Sequence, residues 1–434
     1  MDNSNVLNIT KTLCYWTTFL GQSLPVRSLG TWFELLIGTM VSKQGFVTEA
    51  IQAVKRQRHW SSYYKWLEQG QWSWLSLAKR LAAWLLEVIK PEGIWYVIDD
   101  TLTYRSTRGA PKAGWHHQHG HKANRPVYGW GQNWLSLAAV ISYQQQLCAI
   151  PLLSWLIKPG GNTSKLRAGC VLLRALRAYL KRGYLLLDSW FMRGKLIGTA
   201  LAQGLEVVGQ VRRDTRLYAP PEPRAQVSRG RPRRYGERYT QAAREALPVQ
   251  EAALEIYGKR QRVRYQVVVA LARFLKGRAV KAVWCWFVDE GKESKPRLLL
   301  STDTHLSAEQ IIMYYAKRWL VEPMFCDVKQ RFGFKDCWQQ SAQLWQRWIT
   351  MSSVGYALTR LLALTAQAHL LEAVTLLQPW RKEKVLTAGQ VQNVLQRIFY
   401  QVEVRRFWDK KCKIFKPPIA YNRTVKPPDR LKAA

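Results

Sequence analysis

The sequence predicts an α/β chain built on a mixed sheet, with a β-rich segment inserted into it and helical regions at both ends. Two observations predict this. Apolar residues recur at three and four up to about Lys90, switch to strand-like runs after Pro91, and return to helical spacing from Ser307. Between those points, strands alternate with helix-length segments, the order expected of layered α/β architecture. At 434 residues the chain can bury a large core, and its length suits two or three domains.

From about Leu24 to Lys90 the helical segments are TWFELLIGTMV, FVTEAIQAV and WLSLAKRLAAWLLEVI. Within this stretch, SKQGFVTEAIQAVKRQRHW reads as a small helix, a turn and a second helix ending in Lys55, Arg56 and Arg58. That arrangement suits a DNA groove, and a plain helical bundle fits the same residues. Residues 1–90 are therefore expected to form a helical N-terminal DNA-binding region. After Pro91, IWYVID (94–99) is a buried strand, NWLSLAAVISY (133–143) and QLCAIPLLSWL (146–156) form a hairpin, and residues 165–183 form an amphipathic helix. YLLLD (184–188), a helix through FMRGKLIGTALAQG and EVVGQVR (206–212) come next. Three strands, helix, strand, helix, strand is the order of a ribonuclease-H-like mixed sheet, expected over 91–212 and 301–345.

Residues 213–300 read as a β-rich insertion. A polar Pro/Arg-rich stretch (220–234) leads into RVRYQVVVALARF, AVKAVWCWFVD and RLLLST. Helices resume at Ser307, an N-cap with Gln310 completing a capping box. A helical C-terminal region with a basic tail is expected over 346–434.

Charge narrows the partner. The chain has 66 Lys and Arg against 29 Asp and Glu, a formal net charge of +37, spread over its whole length. Such an excess is relieved when phosphates of a polyanion replace small counterions. Trp and Tyr, 21 and 19 in number, interleave with these cations and suit stacking on exposed bases, although most such rings belong in the core. No signal-like start is present, so a cytosolic protein, nucleoid-associated when bound to DNA, is expected. The apolar run from Trp348 to Ala366 is broken by Ser352, Ser353, Thr359 and Arg360, which fits a buried helix better than a membrane span. The seven Cys, scattered and never in a C-x-x-C pair, read as reduced core thiols.

In a chain so poor in carboxylates, aspartates at the ends of apolar strands need a reason. There are two such places, IWYVIDD with Asp99 and Asp100, and YLLLDSW with Asp188. A strand tip is where active sites of open sheets collect, and Asp188 equally suits a cap on the helix after it. In YYAKRWLVEPMFCDVKQRFGF, Tyr315, Arg318, Glu322 and Lys329 are spaced three, four and seven apart, which brings them within roughly 60° of one another on a helix. One face then carries a phenol, a guanidinium, a carboxylate and an ammonium. Pro323 beside the glutamate breaks or kinks that helix locally.

This tyrosine, arginine, glutamate and lysine spacing resembles the signature of bacterial cut-and-paste DDE transposases of the insertion-sequence-four type, over roughly residues 94–345. The resemblance implies a transposase that binds double-stranded DNA at terminal inverted repeats, cleaves phosphodiesters and transfers 3′-hydroxyls to target DNA. It further implies hairpin ends and a homodimeric synaptic complex. Asp99, Asp188 and Glu322 are the implied metal ligands, with Asp100 the alternative to Asp99 because a one-residue shift reverses the face. Two Mg²⁺ ions, for which Mn²⁺ substitutes, suit an all-oxygen donor set and phosphodiester chemistry. Arg318 and Lys329 would hold phosphates and Tyr315 would position the backbone.

Weaker signals surround this constellation. His116, His117, His119 and His121 crowd one loop, where a polar basic role fits better than a metal site without a nearby Cys. Arg229 and Arg231, in SRGRPRRYG, resemble a minor-groove hook and also suit phosphate contact. Trp284, Trp286 and Trp319 are base-stacking candidates, each with a core packing alternative. Two other functions compete: a ribonuclease-H-like nuclease or resolvase that only hydrolyses, and a non-catalytic DNA-binding regulator derived from a transposase.

Overall fold

In the computed structural model, residues 3–117, 127–160, 163–222, 233–289, 292–380, 385–419, 421 and 423–425 are described. The chain divides into two compact units. The first comprises Met1–Gly93, Asp100–Thr163 and Glu322–Ala434; the second comprises Ile94–Asp99 and Ser164–Val321.

The first unit opens with five helices: α1 (Asn3–Gly21), α2 (Leu29–Val41), α3 (Val47–Ala53), α4 (Trp60–Gln69) and α5 (Trp74–Trp84). Helix α2, LGTWFELLIGTMV, is apolar nearly all round and buried at every position, as a core helix must be. The expected second helix carrying Lys55, Arg56 and Arg58 is corrected: α3 ends at Ala53 and the three cations lie in irregular chain before α4. The cause is tertiary. The Lys55 N–H donates to the Val402 carbonyl at 3.1 Å and the Gln57 N–H to the Glu34 carboxylate at 3.2 Å, so neither closes a helical turn.

Strand β1 (Gly93–Tyr104) is shared by both units. In the first, its later half pairs with β3 (Tyr128–Tyr143), which pairs antiparallel with both β2 (Gly114–His117) and β4 (Gln146–Ile157). Arg105 N–H meets Trp130 O while Thr103 meets Gln132 O, so β1 and β3 run in opposite directions. The β3–β4 turn places Gln144 and Gln145 at φ 47° and 61°, the double positive φ that matches hairpin twist. Pro151, which has no N–H for the ladder, coincides with a bulge opposite Leu137 and Ala138. The unit continues with α10 (Val321–Arg331, all but its first residue), α11 (Ala342–Thr365), α12 (Gln367–Leu377) and α13 (Ala388–Phe399), followed by a small antiparallel pair, β13 (Trp408–Asp409) with β14 (Ile414–Phe415). Helix α11 is buried along almost its whole length, and its Thr350, Ser353 and Thr359 hydroxyls each donate to the carbonyl four residues earlier. Among the described residues no single helix is long and apolar enough to cross a membrane.

In the second unit, the first half of β1 pairs in parallel with β5 (Gly183–Leu187), and β5 pairs in parallel with β6 (Leu205–Val211). Helices α6 (Lys165–Ala175) and α7 (Gly194–Leu201) make the crossovers. The inserted strands extend this sheet. β12 (Arg297–Ser301) pairs with β6 and with β10 (Arg278–Asp289), which pairs with β9 (Lys259–Ala272). β7 (Leu217–Tyr218) and β8 (Gln250–Ile256) pair with β9, and β11 (Lys292–Glu293) with β10. A short helix, α8 (Gln241–Glu245), precedes β8. The pairings β4-β3-β1-β5-β6, two antiparallel and two parallel around β1, bear out the expected ribonuclease-H-like order within a large mixed sheet.

Helix α9 (Ala308–Lys317) starts on the expected capping box: the Gln310 N–H donates to Ser307 Oγ at 3.1 Å, and the Ser307 N–H to Gln310 Oε1 at 2.9 Å. It does not continue as one helix through Lys329. A 3-10 turn, Arg318–Leu320, intervenes before α10. Pro323 has no N–H to offer the Trp319 carbonyl, and the ladder tightens ahead of it.

Candidate active site

Three apolar buried residues, Tyr96, Val97 and Ile98, lead into Asp99 on β1, and Leu185–Leu187 lead into Asp188 after β5. Register brings these two aspartates together. Val97 pairs with Leu186, so two residues on Asp99 lies beside Asp188; Leu186 pairs with Val208, so Gln210 lies beside Asp188 on the other flank. Paired residues point to the same face, and neighbouring strands are about 4.8 Å apart. Asp99, Asp188 and Gln210 thus form a row.

The same face carries Trp95 and Tyr184, whose ring centres lie 5.5 and 5.0 Å from that of Tyr314 on α9. Helix α9 and its 3-10 extension meet the row group for group. Arg318 Nη1 is 3.0 Å from Asp99 Oδ2, and the Tyr315 hydroxyl donates to Gln210 Oε1 at 3.1 Å. Burial pushes the Tyr315 phenol above its usual range; Arg318 opposes this and the charge of Asp188 adds to it, so the ring is a neutral hydrogen-bond donor. Beside them, the Lys317 ammonium lies 4.4 Å from the Trp95 ring centre, and its burial lowers its pKa.

Asp188 also caps. Its Oδ1 accepts from the N–H groups of Trp190 and Phe191, both at 3.0 Å, which holds the turn after β5. Helix α7 is capped instead by the backbone of Arg193, with no side-chain bond. The turn packs tightly on β6: a Cβ on Gly209 would lie 2.4 Å from Met192 Sδ and 2.6 Å from the Leu187 carbonyl oxygen. Only glycine lets the two strand tips stay this close.

Asp99 and Asp100 are separated by the pleat. Asp100 points to the opposite face, where the Asn133 amide donates to its Oδ2 at 2.5 Å. Glu322 is an exposed residue in the first turn of α10, and Lys329 is half-buried in the last turn. Those ends suit their charges through the helix dipole, and buried Val321, Met324, Phe325 and Val328 fix the other side of the helix.

Of the stacking candidates, Trp284 is 5% exposed, as its core-packing alternative requires. Trp286 is half-buried. Trp319 is 44% exposed and lies 5.7 Å, ring to ring, from Tyr257. His116 and His117 end β2; His119, His121, Arg229 and Arg231 lie outside the described residues. Sequence reasoning missed Gln210, although alternation along EVVGQVR places it on one face with Glu206 and Val208.

Among the described residues, no three His, Cys, Asp or Glu side chains are gathered to hold a metal ion. Two carboxylates side by side, Asp99 within β1 and Asp188 just after β5, can serve a hard divalent cation that keeps several waters and takes its remaining ligands from a phosphate. The Arg318 guanidinium shows that Asp99 attracts positive charge at that point.

The family model described as DDE superfamily endonuclease matches residues 34–268, more than half of the chain. No curated protein is a detectable sequence relative. Among solved structures, the chain is similar to that in the cryo-EM structure of the piggyBac transposase synaptic complex with hairpin DNA. The identity is 13% and the TM-score 0.38, over 92% of this chain and 80% of that one.

Proposed function

The chain belongs to the DDE superfamily endonucleases, and from that premise we propose that it is a DNA transposase of the insertion-sequence-four type. In this reading it binds the terminal inverted repeats of its element, cleaves there, and transfers 3′-hydroxyls into target DNA. Excised ends close as hairpins and two copies form the synaptic complex. The observation that carries the proposal is the row of Asp99, Asp188 and Gln210, met by Arg318 and Tyr315. A nuclease needs carboxylates beside phosphate-holding cations, and this row puts them together.

In this reading Asp99 and Asp188 would hold two Mg²⁺ ions, with Glu322 the third ligand that the insertion-sequence-four resemblance implies. Divalent cations, when bound, supply Lewis acidity toward both the attacking and the leaving oxygen. The chain's own groups do the positioning. Arg318 presents a planar fork suited to two phosphate oxygens, and with phosphate there its pairing to Asp99 is exchanged for one to substrate. Tyr315, held neutral, donates a hydrogen bond, and Lys329 adds a point charge.

The test is incubation with DNA carrying the element's own ends and Mg²⁺, beside Asp188→Asn and Glu322→Gln. Nicked and strand-transferred products from wild type alone are expected, and chelation with EDTA abolishes them. Identical products from wild type and variants would sink the assignment. Hydrolysis without joining would leave a nuclease, and binding without either product a regulator.

A further inference from the structure

Two clefts open in the second unit next to the Asp188 turn. One, of 350 Å³, is lined by Arg193, Arg212, Arg216 and Arg273 over an apolar floor that includes Met192 and Phe274. The other, of 580 Å³, adds Arg213, Lys295 and Arg297. They share Ser189, Val211 and Arg212, so they lie side by side and together make a cation-lined surface channel that begins one residue after Asp188.

The backbone arranges this channel around cations. Thr215 closes a tight turn by donating both its N–H (3.0 Å) and its hydroxyl (2.6 Å) to the Arg212 carbonyl, which projects the neighbouring arginines outward. The Arg273 N–H donates to the Arg216 carbonyl at 3.4 Å, fixing two guanidinium-bearing segments side by side. At the start of α7, a Cβ on Gly194 would lie 2.9 Å from the Phe274 carbonyl oxygen, so the two walls of the smaller cleft are in close approach.

Seven cations line the channel, and Asp214 is the carboxylate among its described lining residues. Asp214 is 3.0 Å from Arg212, but the two side chains are 68% and 74% exposed, and so open a pair neutralises little. Converging like charges repel, and a polyanion running along the channel removes that cost while releasing its own counterions. A small anion would satisfy one or two of these groups; a strand with a phosphate at every nucleotide satisfies the series.

We propose that this channel holds the backbone phosphates of the DNA strand leading away from the Asp99 and Asp188 carboxylates. The proposal rests on the transposase reading for its ligand, while its location comes from the clefts alone. All seven side chains lie on exposed residues, so their replacement leaves the core intact.

The experiment is duplex-DNA binding by the full chain, read by fluorescence anisotropy over a range of salt in EDTA, where cleavage plays no part. The variant is Arg212→Gln/Arg216→Gln/Arg273→Gln. Its control is Lys410→Gln/Lys411→Gln/Lys413→Gln, an equal loss of charge from exposed residues of the first unit. The slope of log K against log salt should become shallower by about 2.7 for three lost phosphate contacts, with affinity falling at least about tenfold at low salt. The corresponding Arg→Lys triple variant should keep the slope. An Arg→Gln variant that binds like the control, or wild type that does not bind duplex, overturns the proposal. Wild type that binds with the expected slope yet joins no strands overturns the transposase reading and leaves the channel standing.

Discussion

Each unit contains an arginine paired with a carboxylate, and the two pairs are built for different ends. In the first unit Glu34 is fully buried on α2, with Arg405 Nη1 at 2.7 Å, the Tyr63 hydroxyl at 3.0 Å and the Gln57 N–H at 3.2 Å. In the second, Asp99 and Arg318 are 19% and 16% exposed. A sealed carboxylate with three donors has spent its capacity on the fold. A partly open one on β1, beside a second carboxylate, can be reached by a ligand from solvent. The two pairs thus differ in solvent access to the carboxylate, which is what a ligand-binding role requires and a structural one does not.

The comparison breaks if the two pairs respond alike to mutation. Asp99→Asn and Asp188→Asn should lower DNA cleavage on the order of 10³-fold or more, because several kcal/mol of transition-state stabilisation is lost, with little change in thermal stability. A cleavage assay beside a melting curve reads both; a large fall in Tm with retained specific activity would reverse the assignment. Glu34→Ala should do the opposite. It removes the fully buried acceptor shared by Arg405, Tyr63 and Gln57, while the Arg405 guanidinium, 17% exposed, regains some water, so it should cost about 3 kcal/mol in urea unfolding and the folded fraction cleaves normally.

Asp100→Asn sharpens the comparison within one strand. The amide still accepts from Asn133, so stability should change by no more than about 1 kcal/mol and cleavage should stay within about tenfold of wild type. Loss of cleavage equal to that of Asp99→Asn would move the site to the other face of β1.

The smallest effect is in pH. Burial raises the Glu34 carboxyl above its ordinary 4.5, with Arg405, Tyr63 and Gln57 opposing. The folded state therefore holds a proton that the unfolded state has released, and stability falls as pH rises from about 4.5 through the raised value. Glu34→Gln should remove that component, so the stability difference between wild type and variant should shrink or reverse across that window in favour of the variant. A difference independent of pH would show that Glu34 does not titrate there.

Much of this architecture was legible from local pattern. The hairpin at Gln144–Gln145, the apolar runs leading into Asp99 and Asp188, and the capping box at Ser307 each arise from residues within a few positions of one another, whereas the strand expected to end at Asp99 continues to Tyr104. Pro323 alone predicts a local break in the helix over Tyr315 to Lys329, while its position upstream, as a 3-10 turn over Arg318–Leu320, is visible only in the structure. Local pattern predicts a helix ending in Lys55, Arg56 and Arg58, because the Val402 carbonyl and the Glu34 carboxylate, which claim the backbone there, are distant in sequence.

Residue order alone supplies the chemistry on offer: two aspartates following apolar strand runs, a cationic chain and the Tyr315, Arg318, Glu322 and Lys329 pattern. Periodicity also settles which residues share a face along each strand. The choice between Asp99 and Asp100 as the neighbour of Asp188 and Arg318 came from tertiary structure, as did the presence of Gln210 and the arginine channel. The physical reason is register. Parallel strands are joined by long crossovers, and which residues lie opposite one another is settled by packing of the whole sheet, about which a period of two residues is silent.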